Sequence, residues 1–93
     1  MEEYFNIARL AGECNTLIQD IEYQENLIAR VKEEMGAYID AYVSFGNDRI
    51  AIPVSKADIL RILIDMLQED KVQLTSKRAT LISAAEQLKR NEH

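Results

Sequence analysis

Apolar residues recur along the first third of the chain at alternating steps of four and three, the spacing of a coiled-coil seam. With Gln24 filling one apolar place, the positions are Leu10, Cys14, Leu17, Ile21, Gln24, Ile28, Val31 and Met35. No proline interrupts residues 2–35, so the pattern predicts a helix over that range, ended by Gly36 as its C-cap. We expect a bend or break at Gly12, because glycine costs a helix about 1 kcal/mol relative to alanine.

The last third of the chain carries a second seam and predicts a helix over residues 55–90. Its leucines recur at every seventh residue, at Leu60, Leu67, Leu74, Leu81 and Leu88. The complementary seam positions are Leu63, Asp70, Lys77 and Ala84. In an antiparallel pairing Asp70 falls near Gln24, which indicates either a polar layer that fixes the register or a bend that exposes both residues. Cys14 on the first seam is interpreted as a small buried apolar residue.

Between the two seams, residues 37–53 alternate in character and predict a β-hairpin. Gly46-Asn47 is a two-residue turn of type II′, which pairs Phe45 with Asp48 and Val43 with Ile50. Pro53 cannot donate a ladder hydrogen bond, so we expect it to end the second strand. Ser55 then has the character of a helix N-cap, with Asp58 as its capping-box partner.

The predicted fold is therefore mainly α, a single domain over residues 1–93. Two long antiparallel helices form a coiled-coil hairpin that a short β-hairpin joins. Residues 57–67 are apolar on nearly every side of their helix, more than one partner helix can cover. We therefore expect a homo-oligomer, whose interface residues would be Val43, Ile50, Ile52, Ile59, Ile62, Leu63 and Met66.

Composition narrows the class of function. The net charge of −5 argues against general binding to nucleic acid or to anionic membranes. The lone Cys14 cannot form an intrachain disulfide, which fits a reducing compartment and predicts a cytoplasmic protein. The chain starts with acidic residues and no apolar run, so we expect no signal peptide. It also lacks an apolar stretch long enough for a membrane span. One cysteine and a single, terminal His93 predict no metal site, and no nucleophile–base pair or phosphate loop is found. We expect neither a cofactor nor an enzymatic activity.

One group of residues has the chemistry of an anion site. The start of the second helix offers unpaired N–H groups around Ser55, and Lys56 follows it. Arg49 lies on the polar face of the hairpin with Tyr38 and Tyr42, whose rings could stack on a base. The alternative is that Arg49 and Lys56 are solvated or paired with Asp40 and Asp58, while the tyrosines cover the ribbon.

In layout, two long helices joined through a β-hairpin, the chain resembles a prefoldin β-type subunit, which implies a chaperone. A long acidic helix, a strand pair and the corner Ile52-Pro53-Val54-Ser55-Lys56 into a second amphipathic helix are similar to small bacteriophage proteins. Some of those proteins inhibit host defence by sequestering nucleotide signals. The first hypothesis is thus a non-enzymatic oligomeric phage protein, in the host cytoplasm, that sequesters an anionic nucleotide-type ligand. The alternative is a prefoldin-like chaperone, or a coiled-coil module that scaffolds or inhibits an immune or regulatory protein.

Overall fold

Two long helices lie side by side, and a two-stranded ribbon connects them at one end. The computed structural model describes residues 2–91, with side chains described for residues 5–90. Helix α1 spans Glu2–Glu33, strand β1 Tyr38–Phe45, strand β2 Asp48–Ser55 and helix α2 Lys56–Asn91. The molecule measures 62 × 30 × 14 Å, so it is one helix layer thick. The predicted order of elements and fold class are confirmed, and the oligomeric state stays a prediction.

The buried core follows the predicted seam between the helices. Cys14, Leu17, Ile21 and Leu74 form its centre, and Ile18, Leu67 and Leu81 pack against them. The prediction that Cys14 is buried is confirmed. Met35 was expected to continue the seam, but α1 ends at Glu33 and the Met35 side chain is 99% exposed. It lies in the connection to β1, where helical spacing no longer applies.

Helix α1 runs without interruption through Gly12, so the expected break there is wrong. A β-carbon at Gly12 would meet no atom within 4 Å, which places the residue on an open side of the helix. The Thr16 hydroxyl donates to the Gly12 carbonyl at 3.1 Å, one turn away. Cys14 and Leu17, within the next two turns after Gly12, pack in the seam against α2, and this packing offsets the small conformational cost of one exposed glycine.

Polar pairs cross the seam where the leucine pattern is interrupted. The Gln24 amide nitrogen donates to the Asp70 carboxylate at 2.8 Å, so the side chains meet as the polar-layer hypothesis requires. Lys77 donates to the Glu13 carboxylate further along. This hydrogen bond lowers the pKa of Glu13, so the pair stabilises the fold above the ordinary pKa of glutamate. That contribution is lost as the pH falls through the lowered pKa.

The ribbon has the register that its turn and alternation predict. Phe45 pairs with Asp48, Val43 with Ile50 and Tyr42 with Ala51. Gly46 has a φ of 63° and no other described residue has a positive φ, which fits the type II′ turn and excludes type I′. The prediction that Pro53 ends β2 is wrong, because the ladder continues past Pro53 to Ser55.

The Gln24–Asp70 layer leads to a stability prediction. Gln24 is buried and its amide oxygen has no hydrogen-bond partner, whereas Asp70 is half-buried and can be hydrated. We expect Gln24→Leu to raise the free energy of unfolding by about 1 kcal/mol, because it removes an unsatisfied acceptor and adds apolar seam contact.

The converse variant serves as the comparison. Asp70→Leu leaves both ends of the buried Gln24 amide unpaired and should lower stability by about 1 kcal/mol. Urea unfolding followed by circular dichroism, at one fixed protein concentration, measures both variants. A Gln24→Leu variant less stable than the parent would contradict this account of the layer.

Candidate ligand and assembly site

At the corner between β2 and α2, Ser55 has the role of helix N-cap that the sequence predicts. The Ser55 hydroxyl accepts a hydrogen bond from the Asp58 backbone N–H at 3.1 Å, which confirms Ser55 as the N-cap of α2. The Asp58 carboxylate instead lies 3.4 Å from Arg61, one turn along the helix. One N–H group at the helix start is therefore already satisfied by the cap.

The Lys56 side chain binds the C-terminal end of α1. Its ammonium group donates to the backbone carbonyls of Lys32, at 2.9 Å, and of Glu34. These carbonyls are at the negative end of the α1 dipole, where a cation is favourable. The prediction of Gly36 as the C-cap is wrong, because α1 already ends at Glu33 and the φ of Gly36 is not positive. A side chain from the start of α2 satisfies the end of α1 in its place.

Arg49 lies over the ring of Tyr42, with its guanidinium carbon 4.2 Å from the ring centroid. This contact is a cation–π stack on the polar face of the ribbon. No carboxylate lies within ion-pair distance of Arg49 in the part of the chain that the structure describes. Neither Arg49 nor Lys56 therefore makes the Asp40 or Asp58 pairing considered from sequence.

The five predicted ligand residues fall into two groups. Tyr38, Ser55 and Lys56 line an open depression at the base of the ribbon, together with Ala37 and Leu60. Arg49 and Tyr42 lie nearer the turn. Arg49 and Ser55 are six steps apart along an extended strand, about 20 Å at 3.3 Å per residue. One phosphate group cannot contact both Arg49 and Lys56, and binding of a ligand stays a prediction.

The residues predicted to form an assembly interface are largely uncovered in the single chain. On the ribbon these are Val43, Ile50 (53% exposed) and Ile52. On α2 they are Ile62 (50% exposed) and Met66, while Ile59 and Leu63 are half-buried. Spacings of three and four place Ile59, Ile62 and Met66 on one side of α2.

Phe45 belongs to the same apolar surface but was not among the predicted interface residues. It is 77% exposed and alternates onto the ribbon face that carries Val43. The period-two alternation of β1 was the signal that could have identified it. Ile39, Ala41 and Val54 on this face are half-buried, so the face is covered at the base and open toward the turn.

No group of side chains with the composition of a metal site occurs within residues 5–90. Among the described helices, none has the length and apolar character needed to cross a membrane. No protein-family model matches the chain, and neither a curated protein nor a solved structure shows significant similarity to it.

The role of Lys56 can be tested through stability. Lys56→Met removes the ammonium group that binds the end of α1, and we expect it to lower the free energy of unfolding by about 1 kcal/mol. Lys71→Met, on an exposed part of α2, is the matched control and should change it by less than about 0.5 kcal/mol. Equal stability of the two variants in urea unfolding would show that the Lys56 contacts do not hold the helix ends together.

Proposed function

We propose that the chain is a non-enzymatic interaction module that assembles into a homo-oligomer through its ribbon and the adjoining base of α2. The observation that supports this proposal is the uncovered apolar surface at that end of the molecule, formed by Val43, Phe45, Ile50, Ile52, Ile62 and Met66. Apolar residues clustered in this way mark association surfaces in soluble proteins.

The ribbon has a physical need for such a partner. A two-stranded hairpin is marginally stable by itself in water, and its apolar face here is covered only near the base. The helices cannot supply the missing cover, because their buried residues already face each other along one seam. A second copy of the chain exposes the same apolar surface, so association would bury that surface on both copies.

Native mass spectrometry and light scattering test the assembly. We expect a discrete oligomer for the parent protein, and a self-association weakened at least about tenfold by Ile50→Asp or Ile62→Asp, since each places a charge in an apolar contact. Val72→Asp changes a more exposed apolar residue, 69% exposed, further along α2 and should leave the oligomer intact. A parent protein that stays monomeric would overturn the proposal.

A second candidate function is the capture of an anionic, phosphate-bearing small molecule, the role that the likeness to phage anti-defence proteins suggests. Arg49 favours it, because its guanidinium stacks on Tyr42 without a carboxylate partner among the described residues. A stacked, unpaired guanidinium can donate two parallel hydrogen bonds to the oxygens of a phosphate, while the tyrosine ring offers a surface to a base.

Ligand capture is measured in the same native spectra, with cyclic nucleotides and ADP-ribose derivatives added as probes. We expect a probe to bind the parent protein and to lose at least about tenfold in affinity on Arg49→Glu, with the oligomer unchanged. Arg78→Glu, an exposed arginine of α2, is the matched control. An oligomer that binds none of the probes would leave assembly as the only function.

A further inference from the structure

The two edges of the ribbon differ in a way that follows from its register. A two-residue turn closes on a pair that exchanges hydrogen bonds, here Phe45 and Asp48, and such pairs alternate with pairs that do not. The bond from the Lys56 N–H to the Ala37 carbonyl, 2.8 Å long, falls in this same alternation beyond the strands. The phase of the ladder is thus fixed at both of its ends.

This phase determines which backbone groups point away from the ribbon. On β1 the outward groups belong to Tyr38, Asp40, Tyr42 and Ser44, and each of them has an N–H donor. On β2 they belong to Arg49, Ala51, Pro53 and Ser55, and Pro53 has none. The same phase explains why β2 continues past Pro53: at an outward position, proline removes no hydrogen bond from the ladder.

We infer that the oligomer is built from dimers in which β1 pairs antiparallel with β1 of a second copy, giving a four-stranded sheet in the order β2–β1–β1–β2. This inference rests on the proposed assembly and names its geometry. The β1 edge is an uninterrupted row of donors and acceptors, the surface that another strand needs. Pro53 blocks the two outer edges, so the pairing closes as a dimer and does not extend into a fibre.

A second copy fits this edge better than an unrelated strand because β1 is self-complementary about a twofold axis. With the axis at Tyr42, Asp40 lies opposite Ser44 of the second copy, and like charges are kept apart. On the apolar face Phe45 then lies opposite Ile39 of the second copy, and Val43 opposite Ala41. A register centred on Asp40 would place two carboxylates directly opposite each other, which is unfavourable.

Pairing of the two β1 strands would also make the ribbon more stable and cover part of its exposed apolar residues. Four strands with one apolar face have the size at which a small sheet becomes stable, which two strands do not reach. Phe45, the most exposed apolar residue of the ribbon, gains an apolar neighbour from the second copy. The apolar faces of the two ribbons then lie on the same side of one sheet.

Proline substitution distinguishes the two edges. Asp40→Pro removes an outward donor from β1 and Ala51→Pro removes one from β2, and neither position donates within the ladder. We expect Asp40→Pro to weaken dimerisation by at least about tenfold in native mass spectrometry, since a ladder hydrogen bond is lost in each half, while Ala51→Pro and Asp40→Ala keep the dimer. If Asp40→Pro and Ala51→Pro both dimerise as strongly as the parent protein, the edge pairing is overturned and the proposed assembly is retained.

Cross-linking keeps the inference testable if proline disturbs the ribbon. In a Cys14→Ser background, Tyr42→Cys places two thiols across the twofold axis, at a Cα separation of about 5.5 Å that a disulfide can bridge. Ala51→Cys, the cross-strand partner position on β2, is the control. We expect a covalent dimer from Tyr42→Cys alone under mild oxidation. A dimer from both or from neither overturns the edge pairing, and a parent protein that is monomeric overturns the assembly as well.

Discussion

Two helices packed side by side have only one seam in which to bury apolar side chains, and the rest of this structure depends on that constraint. The seam holds Cys14, Leu17, Ile21 and Leu74, and no large side chain in the described part of the chain is fully buried. Apolar residues in excess of the seam must therefore lie at the surface. They concentrate at the ribbon and the base of α2.

The junction at the base of the ribbon joins all four elements through a few polar contacts. Ser55 caps the start of α2, Lys56 binds the carbonyls at the end of α1, and the Lys56 N–H extends the ladder to Ala37. Two adjacent residues thus satisfy groups from two helices and from the ribbon. The Ser55 hydroxyl and the Lys56 ammonium group already make hydrogen bonds within the chain, so fewer of their hydrogen-bonding groups are available to an anion than the sequence indicated.

Polar residues within the seam carry information about alignment. Gln24 with Asp70, and Glu13 with Lys77, meet at one register of the antiparallel helices. A slip of one turn would leave Gln24 buried without its partner, at a cost of about 1 kcal/mol. These layers replace apolar contact with polar pairs that disfavour other alignments, and the favoured alignment places the end of α1 beside Lys56.

The sequence by itself determined the parts that depend on neighbouring residues. Heptad spacing located both helices and the buried Cys14, the Gly46-Asn47 turn with alternation gave the register of the ribbon, and Ser55 was identifiable as a cap. Each of these signals acts within a turn of helix or across one hairpin. Phe45 carried the same alternation signal, so its place on the apolar face was also within reach of the sequence.

The tertiary structure alone decided the features that join residues distant in the chain. Lys56 binds the end of α1 only because antiparallel packing brings that end within reach, and the packing also keeps α1 continuous through Gly12. The separation of Arg49 from Lys56 follows from a ribbon that continues past Pro53. Residue type fixes what a side chain can bind, whereas the available partner is fixed by packing between elements, which no local pattern encodes.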